Sequence, residues 1–203
     1  MLVCGRGYLS ILLMLFATVF LVAEESGDPD VMVFKPLTQI LKPVSKTAFE
    51  IVNLKDGTSR VVDLTGKDFI LVSVREEGSD GRFYAVDRDG TVWLSGPVTS
   101  GAPKYRSPSG VFSILQKHRY HMSSSYPEES GINNMDFTMR FTWQGHALHK
   151  GSVNWLSHGC IHIDPKDVPV LFRWSKIGMP VVITRETYMP FAREDLQKIY
   201  LDR

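Results

Sequence analysis

The chain has 203 residues, 43% hydrophobic and 22% charged, with 23 Lys and Arg against 22 Asp and Glu for a formal charge of +1. That length holds one fair-sized domain with appendages, and that composition excludes wholesale disorder, a coiled-coil rod and a polytopic membrane protein. The near-neutral charge sets nucleic-acid binding aside, since such a surface carries a basic excess, and two cysteines, Cys4 and Cys160, cannot build a disulfide framework.

The first segment reads as an address. Arg6 precedes an almost wholly apolar stretch at 8–22, then comes the small Ala23, then the acidic polar run 24–30. This is the layout of a secretory signal peptide over residues 1–23. The apolar stretch is short for a spanning helix, which needs about 20 residues. Leu21 is larger than the residue usually found two before a cut, so an uncleaved N-terminal membrane anchor is the alternative. Either way the remainder is exported, to a periplasm or cell envelope. Removal of 1–23 takes Arg6 and no acid, so basic and acidic residues then balance at 22 each, and Cys160 is the one thiol left.

Residues 31–47, interrupted by Pro36 and Pro43, read as a linker or extended arm. From Phe49 the pattern changes to strands and turns. Residues 49–54 and 59–64 flank Lys55-Asp56-Gly57 as a β-hairpin. An apolar strand at 69–74 is expected to pair with 82–87, and a second Asp-Gly turn, Asp89-Gly90, leads into 91–95. Residues 111–115 and 139–143 are further strands, the latter continuing to His149 with alternate side chains on opposite faces. The stretch 118–136 shows no regular pattern; its length and polarity suggest a cover over a site. Asp164 as N-cap with Pro165 at the first helical position opens a helix whose apolar face is Val168, Leu171, Phe172 and Trp174, ending before Gly178. A strand at 180–184 follows, then a helix from Pro190 to about Leu201. The fold expected is mainly β, a mixed sheet or sandwich with a few short peripheral helices.

The chemistry concentrates in Ser157-His158-Gly159-Cys160-Ile161-His162, with His149 upstream. A thiol is nucleophilic only as thiolate, and a neighbouring imidazole takes its proton, as in covalent acyl transfer. Gly159 permits a sharp turn closed to residues with a Cβ. The N–H groups of His158, Gly159 and Cys160 are then expected to converge as an oxyanion hole. Zinc ligation by His146, His149, His158, Cys160 and His162 is the competing reading. An odd separation on a strand sends His146 and His149 to opposite faces, which counts against it. Papain-like proteolysis fares worse still, because its local Cys signature is missing and its chain order is Cys before His.

These residues resemble the L,D-transpeptidases, cysteine enzymes that remodel bacterial peptidoglycan. The likeness runs through Ser107-Pro108-Ser109-Gly110-Val111-Phe112, through Met139-Arg140-Phe141-Thr142-Trp143, through His149-Lys150-Gly151 and through the Ser157–His162 run. It implies Cys160 as nucleophile and His149 as base, its ring oriented by the carbonyl of Lys150 or Gly151. It further implies His158 and Gly159 at the oxyanion hole and Ser157 supporting the turn, with His162, Arg140 and Tyr126 as substrate contacts. Two departures stand out: His162 occupies a position where the family commonly has Arg or Asn, and the link from His149 to Ser157 is short. The division implied is a leader at 1–23, linker and arm at 24–66, a catalytic domain at 67–186 and a helical tail at 187–203. Neither metal nor organic cofactor is implied. The partner is the peptidoglycan stem peptide, attacked with loss of D-Ala and passed to an amine for a 3→3 crosslink. Water or a free D-amino acid are the alternative acceptors at the same site. The contrasting class is a catalytically idle wall-binding module.

Overall fold

The computed structural model describes residues 37–74, 81–123 and 134–201. The leader or anchor expected at 1–23, and Tyr126, lie outside them.

Strands β1 (Gln39–Pro43), β2 (Ala48–Asn53) and β3 (Ser59–Asp63) form an antiparallel three-stranded sheet. The β2–β3 hairpin turns at Lys55-Asp56-Gly57 as the sequence indicates, with Gly57 at φ 72° and Asp56 Oδ1 accepting the Thr58 N–H at 3.0 Å. Residues 39–43, read as part of the extended arm, instead form β1. Leu41 pairs with Ile51, and both are buried, which ties down a segment that lacks a clean period.

The main sheet has nine strands: β4 (Phe69–Ser73), β5 (Gly81–Val86), β6 (Val92–Thr99), β7 (Gly110–Ser113), β8 (Gln116–His118), β9 (Thr138–Arg140), β10 (Ala147–Lys150), β11 (Ile161–Ile163) and β12 (Pro180–Thr184). They lie in the order β7-β12-β4-β5-β6-β11-β10-β9-β8. Among the described residues, β12 with β4 and β10 with β11 run parallel and the other neighbours antiparallel. Strand β4 pairs with β5 as the sequence suggests, Phe69 opposite Val86.

The centre of this sheet is buried on both faces. Ile70, Val72, Phe83 and Ala85 point into one cluster, together with Leu148, Ile161 and Ile163. Phe69, Leu71, Tyr84 and Val86 point into another, under Leu41 and Phe49 of the small sheet and Tyr188 and Leu196 from the C-terminal end. Alternation along each strand divides the side chains between the two, which is why β4 reads as an unbroken apolar run. Each Val, Leu, Ile or Phe side chain among them stabilises the fold by about 1.5–3 kcal/mol relative to exposure.

Two α-helices complete the described chain, α1 (Val168–Trp174) and α2 (Met189–Leu201). The architecture is the mainly β mixed sheet with short helices that the sequence indicates. Three local expectations are corrected. The helix expected from Asp164 begins at Val168, because Pro169 has no N–H to bond the Pro165 carbonyl; Asp164 instead caps a turn, accepting the Lys166 N–H at 3.0 Å. The strand expected through 139–149 is two strands, β9 and β10, paired antiparallel with Ala147 opposite Arg140. Gly145 at φ 103° makes the reversal. The described ends of 118–136 are not irregular: they extend β8–β9 through Phe137 N–H to Arg119 O at 3.0 Å and Met135 N–H to His121 O at 2.8 Å. The middle of that expected cover lies outside the described residues.

Candidate active site

Parallel strands β10 and β11 set the site's floor, with Leu148 beside Ile161 and His149 beside His162. Leu148, Ile161 and Ile163 are buried in the core. Alternation therefore turns His149 and His162 to the opposite face, and with them Cys160, one residue before β11. The rings of His149 and His162 stand edge to face, 5.0 Å apart. The Cys160 thiol approaches the Gly145 carbonyl at 3.8 Å.

The turn that presents Cys160 is held by serine hydroxyls. Ser157 Oγ accepts the Gly159 N–H at 3.0 Å and donates to the Cys160 carbonyl at 2.5 Å. Ser107 Oγ accepts the Gly101 N–H at 3.0 Å and donates to the Gly159 carbonyl at 2.9 Å. Gly159 sits at φ 113°, a conformation that only glycine adopts freely. Gly101 is packed against it: a Cβ on Gly101 would stand 2.0 Å from the Tyr105 carbonyl oxygen and 2.8 Å from Gly159 Cα. The expected convergence of three N–H groups is corrected here, because that of Gly159 is spent inside the turn on Ser157. Gly101 and Ser107 were given no role from sequence. Ser107 lies in the 107–112 run that carries the family likeness, the one signal available for it.

The electrostatics favour neutral groups at rest. His149 donates Nδ1–H to the Lys150 carbonyl at 2.7 Å, which leaves the Nε2 lone pair as the basic atom. Burial pushes its pKa down to about 3, helped by His162 and opposed by that carbonyl. Burial pushes the Cys160 thiol up, opposed by the Ala147 N–H and the Arg140 guanidinium. Arg140 has its Nε buried without a hydrogen-bond partner among the described residues.

Other expected site residues differ in placement. His158 is exposed, its ring against Tyr105 at 4.7 Å. His162, expected to meet substrate, has its Nδ1–H on the Ser152 carbonyl at 3.0 Å and its ring packed against Gly151, where a Cβ would stand 2.6 Å from its Cγ. It braces the 151–157 connection. His146, expected on the opposite face from His149, lies beside Gly159 with its ring against Phe141. Among the described residues no three of His, Cys, Asp and Glu gather as a metal-binding group.

Residues 67–183 match the family model described as the YkuD L,D-transpeptidase catalytic domain. L,D-transpeptidase 1 of Mycobacterium tuberculosis is 28% identical over 114 residues, 49% of this chain and 45% of that protein. The probable L,D-transpeptidase 3 of the same organism is 26% identical over 43% of this chain and 37% of its own. The chain thus aligns with under half the length of these relatives. A crystal structure of an Enterococcus faecium L,D-transpeptidase carrying a C442S mutation is similar, with TM-score 0.48 and 23% identity over 61% of this chain and 55% of that one.

Proposed function

The chain belongs to the YkuD family of L,D-transpeptidase catalytic domains, and we propose that it is an exported peptidoglycan L,D-transpeptidase whose nucleophile is Cys160 and whose base is His149. The observation that carries this reading is a thiol in a glycine turn sharing one strand face with an imidazole whose Nδ1–H is bonded to the Lys150 carbonyl.

In the first half-reaction the thiol proton passes to His149 Nε2 as Sγ attacks the carbonyl of the third, diamino acid residue of a tetrapeptide stem. The tetrahedral oxyanion is received by backbone N–H groups at His158 and Cys160. The C–N bond to D-Ala then breaks, and His149 returns the proton to the departing amine. A base depressed towards pH 3 is uncharged at neutral pH and gives up an acquired proton readily. In the second half-reaction an acceptor amine attacks the thioester, His149 takes its proton, and the thiol re-forms. The Arg140 guanidinium, which acts on the thiol by charge and has its Nε buried without a hydrogen-bond partner among the described residues, supports binding of a carboxylate of the stem. Ser157, with Gly159, supports the turn.

An amine acceptor gives a 3→3 crosslink; water or a D-amino acid would give trimming or exchange. Residues 1–23 deliver or anchor the chain outside the cytoplasm, and 67–186 form the catalytic domain. Incubation with purified tetrapeptide muropeptides separates these outcomes. Dimers formed with loss of D-Ala are expected. Tripeptides alone would mean hydrolysis, and unchanged muropeptides would leave a binding module.

A further inference from the structure

Two backbone groups act on the Cys160 sulfur: the Gly145 carbonyl, which accepts from the thiol at 3.8 Å, and the Ala147 N–H, which favours its charged form. They belong to the two peptide planes on either side of His146, so the backbone angles of that one residue set how both are aimed. The His146 side chain is clamped on several edges. Its backbone N–H donates to Thr142 Oγ1 at 3.0 Å, and its Nδ1 lies 2.9 Å from the same oxygen. The Phe141 ring stacks on it at 6.3 Å and 27°. Its Cδ2–Nε2 edge fills the space that Gly159 leaves open: a Cβ there would stand 3.1 and 3.2 Å from those atoms. One side chain therefore joins the β9–β10 reversal to the turn that presents the nucleophile.

We infer that His146 is a positioning residue for Cys160: clamped by Thr142, it aims the Gly145 carbonyl and the Ala147 N–H at the sulfur and lies against the Gly159 turn. This rests on the acyl-transfer reading of Cys160 and adds a second imidazole to it, one that acts through backbone and not on the substrate. The carbonyl favours the thiol and the N–H the thiolate. A hydrogen bond to the charged form is the stronger, so misaiming the pair raises the thiol pKa. Arg140 on β9 acts on the thiol by charge, His162 on β11 and His121 act on His149, and His158 in the turn acts on His162. All five stay in place in the test.

The test is the pH profile of iodoacetamide alkylation at the Cys160 peptide, read by mass spectrometry, beside steady-state kinetics on tetrapeptide muropeptides. His146→Ala and Thr142→Val should move the alkylation midpoint up by about one pH unit. Both should lower kcat by about tenfold or more with KM within about twofold, as expected of a displaced reacting atom. Thr142→Ser keeps the hydroxyl and should restore both. An unchanged midpoint in His146→Ala and Thr142→Val overturns the inference. So do losses shared equally by Thr142→Ser, or losses that follow melting temperature alone. Turnover surviving in Cys160→Ala would instead overturn the acyl-transfer reading, and the alkylation profile would still judge His146.

Discussion

Strand β4 at the centre of the main sheet buries Phe69, Ile70, Leu71 and Val72 completely. Towards one edge, β10 and β11 bury Leu148, Ile161 and Ile163 on one face and give the other to His149, Cys160 and His162. The centre is held by apolar area, which is indifferent to direction. The edge is held by short directed contacts, from Ser107, Ser157, Thr99 and the Lys150 carbonyl. Thr99 Oγ1 alone lies 3.0 and 3.1 Å from the Trp155 and Ser152 carbonyls. The centre supplies stability and the edge supplies geometry, so substitutions in the two should fail in different currencies.

The largest effect is expected at His149. His149→Ala should cost a factor of about 10² to 10⁴ in turnover, the usual loss for a positioned base, with slower thiol alkylation at neutral pH. Retention of more than a tenth of native turnover would remove His149 from the base role.

Gly101→Ala comes next. Its methyl group meets the Tyr105 carbonyl and the Gly159 backbone, so the Cys160 turn must move, and a displacement near 1 Å costs about 10² in rate. Circular dichroism and kinetics together check this: folded protein with native turnover would show that the close approach is unimportant.

Ser107→Ala strands the Gly159 carbonyl and the Gly101 N–H, both in a buried turn. A lost buried partner costs about 1–3 kcal/mol, read as a lower denaturation midpoint, with turnover reduced as well. Ile70→Val, in contrast, should cost about 0.5–1.5 kcal/mol of stability and leave turnover per folded molecule unchanged. Reduced turnover at native stability in Ile70→Val would break the division between centre and edge.

A further effect is expected on pH dependence. His149 is neutral in the folded protein down to about pH 3, whereas in the unfolded chain it takes a proton below about 6.5. Unfolding therefore binds a proton between those values. The stability contributed by burying neutral imidazole is complete above the unfolded pKa and falls away as pH drops from 6.5 towards 3. His149→Gln should flatten the denaturation midpoint across that window. An equally steep acid limb in the variant would place the titrating group elsewhere.

Much of the centre was legible because alternation and turn chemistry are local. The β4–β5 pairing, the Asp-Gly hairpin and the strand at 180–184 all emerge where the residues themselves specify period and turn. The edge was legible in identity and less so in arrangement. Ser157, Gly159, Cys160 and His149 stand out as chemical types, but a reversal at Gly145 looks like strand when only alternation is counted, so the packing of His146 against Gly159 and Phe141 is not visible in the pattern. Gly101 and Ser107 act on Gly159 across the fold, through contacts between positions 52 apart in sequence for Ser107, and no local pattern carries such a contact. His162, which the family likeness offers as a substrate contact, has its ring engaged by Ser152 and Gly151, an arrangement no local pattern shows.

The central claim is that a stem peptide is carried on the sulfur of Cys160. Intact-mass measurement during incubation with a tetrapeptide muropeptide, acceptor withheld, tests it most directly. The expected result is a covalent adduct on the native protein equal to the donor less D-Ala, mapping to the Cys160 peptide and absent from Cys160→Ala. An adduct of that mass on Cys160→Ala, or release of D-Ala by it, would contradict the claim.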